Sequence, residues 1–244
     1  MLLFPIPETR QGVFLKRLNR FAGLVRVCTE TTTAHVPDPG RLKELLFPGN
    51  SILLAPRLKP GGKTSCVLIA ARKRNSWILT NTTFHSRIAE ALIWKGLLGF
   101  EPRSVEREVR LPGYLSRFDF LVNDGMILEV KGCTLETRET GLFPDAPTSR
   151  GARQVREMAR YIRDGGEGTI LFIVTVPWAQ AVCSNPETDP SFAGAIDDAL
   201  EAGGRVVTAV VSLRESGIHY EGMIPFKGRF DYRSSIHQTR GGQC

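Results

Sequence analysis

The sequence predicts a two-part α/β (α+β) protein. An OB-like β-barrel over residues 1–80 precedes an α/β domain over 81–226, ordered helix–strand–strand–strand–helix–strand, and a mobile tail over 227–244 follows. Three observations predict this. Residues 11–80 are short β-type runs separated by Pro/Gly breaks. From Asn81 onward, helical periodicities alternate with apolar runs. The charge divides at the same place: residues 1–80 hold 13 Lys/Arg against 4 Asp/Glu, whereas the remainder holds 19 against 21. The net charge of +7 therefore sits in the first third, as expected of a domain that meets a polyanion.

In the first part, GVFLKRLNRFAGLVRV alternates apolar and polar positions, the period of half-buried strands. TTTAHV, SILLAP, SCVLIAA and WILT are further β-type runs, broken by PDPG, FPGN and KPGGK. RLKELL, after Gly40, reads as one short helix. About five short strands with a small helix before the fourth suit a small closed barrel. Such barrels bind single-stranded nucleic acid on a basic, partly aromatic face. The candidate contacts are Lys16, Arg17, Arg20, Arg41, Arg57, Lys59, Lys63, Arg72, Lys73 and Arg74. The same residues would also serve as solvated strand edges that discourage aggregation.

In the second part, SRIAEALIWKGLLGF has helical spacing and SVEREVRL alternates strictly. TSRGARQVREMARYIRDGG is a helix capped by Thr148 or Ser149, with Val155, Met158, Ala159 and Ile162 on its apolar face and Gly165 at its end. TILFIVTVPWAQAV is a buried strand, too short and too Pro-broken to span a bilayer. PSFAGAIDDALEAGG, RVVTAVVSL and GIHYEGMIPF follow as helix, strand and edge strand. Five scattered cysteines without a C-x-x-C pair fit free thiols in a reducing cytoplasm. The N-terminus lacks a signal-peptide pattern, and no membrane partner is expected.

The chemistry centres on SRFDFLVNDGMILEVKG, Ser116–Gly132, which reads as two strands around a turn. With Asp124-Gly125 as a two-residue turn, Asp119 and Glu129 would point to opposite faces. With Asn123-Asp124-Gly125 as a three-residue loop and Gly125 left-handed, Val122 pairs with Met126 and Asp119 sits opposite Glu129. Lys131 shares that face, and Phe118, Phe120, Val122, Leu128 and Val130 fall together on the other. The apolar pattern favours this second register. Two facing carboxylates repel unless a cation lies between them or one is protonated. Oxygen ligands with room for water suit Mg²⁺ or Mn²⁺, which can polarise a phosphodiester and activate water. Lys131, beside two acids, suits positioning that water and stabilising transition-state charge better than acting as a free base. A solvated cross-strand salt bridge is the alternative reading of the same residues.

The element order, with Asp on the second strand and Glu-x-Lys on the third, resembles the core of the PD-(D/E)xK nuclease superfamily. That resemblance implies a restriction-endonuclease-like αβββαβ domain in which a glutamate of the first helix, here Glu90, completes the metal site. Arg117, Arg150 and Arg153 are candidate phosphate contacts. Arg156, Arg160 and Arg163 form a stripe on the second helix that would either contact phosphates or face solvent, with Gln154 nearer the metal. NRF, HVPDPGRL, NT, SRFDF, EVKGCTL and FPDAPTSRG, in order over most of the chain, resemble the sugar fermentation stimulation protein A (SfsA) family. That resemblance implies an OB-like domain before a nuclease-like one, DNA binding, and Asp119, Glu129 and Lys131 as the nuclease-type residues. The chain departs from the family at Gln154, where many relatives place a histidine. Its four histidines, His35, His85, His219 and His237, lie away from the motif in sequence.

The expected function is therefore a DNA-binding protein that hydrolyses phosphodiester bonds of DNA or RNA, with Mg²⁺ or Mn²⁺ as cofactor. The alternative is a non-cleaving nucleic-acid-binding regulator of sugar (maltose-type) metabolism genes on a nuclease scaffold. A sugar-metabolising enzyme has little support, because no nucleotide-binding glycine motif or paired acids in a sugar-site context occur. The 18 residues TLETRETGLFPDAPTSRG form a long strand-to-helix connection, of the kind that is usually functional or mobile.

Overall fold

The alternation in the first third closes into a barrel. In a computed structural model describing residues 1–57 and 64–232, the chain opens with β1 (Leu2–Phe4), then β2 (Arg10–Asn19), β3 (Ala22–Val27), β4 (Glu30–His35), β5 (Ser51–Pro56), β6 (Cys66–Lys73) and β7 (Ser76–Leu79). Strands β2 to β6 pair β2–β3–β4–β6–β5 and back to β2, a closed five-strand barrel. Phe14, Val25, Ile52, Leu54 and Leu68 fill it. Strand β1 is not part of the barrel. It pairs with a strand of the second domain, so the expected boundary of 1–80 assigns Leu2–Phe4 to the wrong sheet.

The short helix expected at RLKELL is a turn instead. Leu42 is left-handed (φ 47°), and the N–H groups of Leu45 and Leu46 both donate to its carbonyl. Leu42, Leu45 and Leu46 are all buried. Their i, i+3, i+4 spacing is the helical signature that the sequence carries, but the left-handed Leu42 cannot continue a right-handed helix, and the segment closes as a turn that still buries all three.

The second part adds α1 (His85–Trp94), β8 (Val105–Arg110), β9 (Arg117–Val122), β10 (Met126–Cys133), β11 (Leu135–Thr137), β12 (Thr140–Phe143), α2 (Ser149–Arg163), β13 (Glu167–Val174), β14 (Ala181–Ser184), α3 (Pro190–Glu201), β15 (Arg205–Arg214), β16 (Gly217–Met223) and β17 (Phe226–Arg229). Strands β10, β13 and β15 are parallel; β9 and β16 flank them antiparallel, and β8 pairs antiparallel with β9 at the edge. Strand β7 pairs with both β6 and β15, so the barrel and this sheet are continuous. Helix α1 covers one face through Ile88, Ala89, Leu92 and Ile93. Helices α2 and α3 cover the other through Val155, Met158, Phe192 and Ile196. A sheet buried on both faces explains the near-continuous apolar run of β13.

Three further expectations need correction. The TLETRET segment is not structureless: β11 and β12 form a hairpin that joins β14 and β17 in a second sheet. The apolar run TILFIVTVPWAQAV divides into β13 and β14 around Pro177. The tail expected to be mobile from Lys227 instead begins within β17, with Arg229 paired to Asp197; residues 233–244 lie outside those described. No described helix is long and apolar enough to cross a membrane.

The two helix starts nearest the sheet's C-terminal end are tied together. Thr148 caps α2, its hydroxyl accepting from Gly151 N–H. Asp189 caps α3, accepting from Phe192 N–H at 2.9 Å and from Thr148 N–H at 2.7 Å. Asp189 is buried, so removing its carboxylate leaves two amides unsatisfied. Asp189→Ala is expected to lower unfolding free energy by about 1–3 kcal/mol, and Asp189→Asn by less. Urea titration followed by circular dichroism measures both.

Candidate active site

The hairpin takes the register that clusters the charges. Val122 pairs with Met126, Leu121 with Ile127 and Phe120 with Leu128. The turn residues with positive φ are Asn123 (52°) and Asp124 (60°), not Gly125, and Gly125 N–H donates to Val122 O at 3.3 Å. Asn and Asp tolerate this region better than other non-glycine residues. Beyond Leu128 the β9–β10 ladder stops. The Asp119 carboxylate, rather than a backbone carbonyl, accepts the Val130 N–H at 2.7 Å. Alternation breaks there: Phe120, Val122 and Leu128 pack on the α1 side as expected, with Val130 against them, but Phe118 joins the core beneath α2 and α3.

Asp119, Glu129 and Lys131 line one cleft of about 480 Å³ between the barrel and the second domain. Glu129 is 2% exposed on the central strand β10. One of its carboxylate oxygens accepts from Lys131 Nζ at 2.5 Å; the other, Oε2, is buried without a partner. Burial pushes the Glu129 carboxyl up to about 7, against the pull of Lys131 and with a further push from Asp119. Burial also raises Asp119, opposed by the Val130 hydrogen bond and by Lys131. Gln154 on α2 accepts from Lys131 at 3.3 Å and donates to the Arg117 carbonyl at 3.2 Å, so Lys131 is held from two sides. Arg150, in the first turn of α2, lines the cleft and acts electrostatically on both acids.

Glu90 is not in this cleft. It pairs with Arg107 of β8, because it lies more than a helical turn beyond the end of α1 that meets the site. That end contributes His85 and Ser86. His85 packs its ring edge against Gly132, where a Cβ would collide with it; its Nε2 is buried without a partner, and burial pushes the imidazole down to about 4. Among the described residues, no three His, Cys, Asp or Glu side chains form a ready metal cluster.

Of the basic candidates, Arg20 and Arg150 line the cleft. Arg17 is committed to the carbonyls of Asn19, Arg20 and Asp38. Arg57 donates to Thr64, Lys73 pairs with Glu136, Arg72 stacks on Trp77, Arg74 on Trp178, and Arg117 pairs with Glu108. Lys16, Arg41 and Arg153 are exposed; Lys59 and Lys63 lie outside the described residues. The stripe of Arg156, Arg160 and Arg163 is tied to Ser191, Gly113 and Asp198.

The barrel and the segment before α2 each bring an acid that the hairpin pattern did not include. Asp38 of PDPG and Asp145 of FPDAP meet over Gly40, whose missing side chain leaves room for both carboxylates. Asp38 accepts from Gly40 N–H at 2.7 Å, yet burial and the nearby Asp145 and Glu44 leave its carboxyl at about 6. The two motifs were legible; their meeting was not, since Asp38 and Asp145 lie 107 positions apart.

The comparisons with known proteins agree along the chain. The model of the SfsA N-terminal OB domain matches residues 15–80, and that of the sugar fermentation stimulation protein RE domain matches residues 79–217. The chain is similar to sugar fermentation stimulation protein homologs of Methanococcoides burtonii (37% identity, 92% of this chain and 94% of that one) and Methanothermobacter thermautotrophicus (38%, 90% and 94%). Its fold matches Pyrococcus furiosus SfsA, solved in complex with Ca²⁺, with a TM-score of 0.85 at 30% identity, covering 93% of this chain and 99% of that one.

Glu129 makes the stability of the fold depend on pH. Its folded value, about 7, lies above the ordinary 4.5, so the stability it contributes is full below 4.5 and is lost as pH rises through 7. In EDTA, the melting temperature is expected to fall from about pH 5 to about pH 8, and Glu129→Gln to flatten that fall. Parallel thermal melts across pH would show it; equal slopes would place the titration elsewhere.

Proposed function

The chain belongs to the sugar fermentation stimulation protein (SfsA) family, and we propose that it is a metal-dependent nuclease that hydrolyses phosphodiester bonds of DNA or RNA. The observation that carries this reading is the unpartnered Oε2 of Glu129, buried beside Asp119 and Lys131 on a central strand. A buried carboxylate oxygen without a donor costs free energy unless a proton or a cation meets it. Two carboxylates in a water-accessible cleft fit an oxygen-liganded divalent ion, and the Ca²⁺ bound by the Pyrococcus furiosus relative supports a divalent ion here. Asp119 and Glu129 would hold Mg²⁺ or Mn²⁺, which when bound supplies a Lewis acid and lowers the pKa of its water. The resemblance to the PD-(D/E)xK core supports the same assignment.

The protein's own groups do the rest. Lys131, fixed between Glu129 and Gln154, orients the attacking water and donates to charge developing on the phosphoryl oxygens. Arg150 at the start of α2 binds a phosphate of the substrate, aided by the helix N-terminus. Arg20 on the barrel side of the cleft holds the strand from the opposite wall. DNA is the expected partner, gripped through phosphates by the basic barrel.

Cleavage of single-stranded DNA, duplex DNA and RNA in Mg²⁺, Mn²⁺ and EDTA tests the reading. Cutting is expected with metal and none in EDTA. Glu129→Ala and Lys131→Ala should each reduce it by about 100-fold or more while leaving binding intact. Binding should weaken steeply with salt. Salt-sensitive binding without cutting in any metal would leave a nucleic-acid-binding protein on this scaffold and overturn the nuclease.

A further inference from the structure

Between β8 and β9 the chain makes a tight loop, Leu111–Ser116, that presents Leu115 to solvent. This side chain is 83% exposed, more than any other large apolar side chain among the described residues. The loop is held firmly. Glu157 of α2 accepts from Leu115 N–H at 3.1 Å and from Ser116 N–H at 2.6 Å. Arg160 donates to the Gly113 carbonyl and lies 4.2 Å over the Tyr114 ring. Tyr114 donates to Asp164 at 2.8 Å and meets Tyr161 edge-on at 5.7 Å. The left-handed Gly113 (φ 82°) permits the turn. Such anchoring fixes the backbone yet leaves the leucine bare.

Leu115 is also aligned with the cleft. Arg150, Gln154 and Glu157 occupy successive turns of one face of α2. The first acts on Asp119 and Glu129, the second touches Lys131, and the third holds Leu115. From Arg150 to Glu157 the helix advances roughly 10 Å, about three stacked base steps. Exposed Arg153 on α2, close enough to act on Glu157, and exposed Arg117 at the start of β9, which would exchange its Glu108 partner for a phosphate, supply the positive charge around the loop.

We infer that Leu115 is a wedge: with Arg117 and Arg153 on flanking phosphates, it inserts between two stacked base pairs of duplex DNA and opens them on the approach to the cleft. Apolar side chains on rigid supports are used in this way by proteins that unstack and kink duplexes. The consequence for cutting rests on the nuclease reading; the opening itself requires neither metal nor cleavage.

The test uses the full chain and duplex DNA carrying 2-aminopurine at successive positions. In EDTA, the wild-type protein and Leu115→Met are expected to raise fluorescence at one step. Leu115→Ser should bind within about threefold of wild type without that rise, since the phosphate contacts remain. In Mg²⁺ or Mn²⁺, Leu115→Ser should cut intact duplex about 10- to 100-fold more slowly and recover on the same duplex mismatched at that step. Glu129→Ala should open the duplex and not cut it. If no protein cuts, the nuclease fails while the fluorescence still decides the wedge. An equal rise with Leu115→Ser overturns the wedge, as does slow cutting that mismatches do not rescue. Equal opening, with self-association or binding to anionic phosphatidylserine vesicles lost in Leu115→Ser, overturns it in favour of that other contact.

Discussion

A carboxylate on a strand in mid-sheet governs this structure. Strand β10 is paired in parallel with β13 along its whole length, from Met126↔Glu167 to Cys133↔Val174. The backbone of Glu129 is therefore fixed, its side chain is buried at the cleft, and its charge must be met by whatever the fold brings to it. Lys131 comes two residues along the same strand, and Gln154 and Arg150 come from α2. The interruption of the β9–β10 ladder serves the same end. By taking the Val130 N–H itself, the Asp119 side chain replaces a backbone partner and is anchored within the cleft.

Around this centre, the two domains contribute opposite walls. The PDPG segment of the barrel and the FPDAP segment before α2 press their aspartates over Gly40, where a Cβ would displace both carboxylates. Leu42 N–H donates to Asp145 at 3.4 Å, so the turn that plugs the barrel with Leu42 and Leu45 also reaches the second domain. Packing inside the barrel and the shape of the cleft are thus set by the same few residues.

The hairpin register was legible in the sequence because only one register lets its apolar residues share a face, and that rule is local. The barrel was legible for a similar reason, since its strands alternate and its breaks are Pro and Gly. The first-helix residue of the site was not. Helical spacing shows which face of α1 is buried but not which end abuts β10, so Glu90 and His85 could not be ranked without tertiary structure. Strands β11, β12 and β14 were also hidden: they are three or four residues long, and the β12–β14 and β14–β17 pairings join segments far apart along the chain. The basic residues show the commonest gap between composition and structure. Arg17, Lys73 and the α2 stripe supply positive charge to the sequence, but the fold uses them on carbonyls, a glutamate, helix α3 and the β8–β9 loop.

Strand β1 has a further architectural meaning. The chain enters through the second domain's sheet, where Leu2 and Phe4 pair with His219 and Ile218, builds the barrel, and returns through β7 beside Leu213. Topologically, the barrel is an insertion within the other domain rather than a bead strung before it. An inserted module hangs from two chain crossings instead of one, which removes the free swivel of a single linker. The two walls of the cleft keep one bearing towards each other, so a molecule passing between them has to adapt its own shape to that gap.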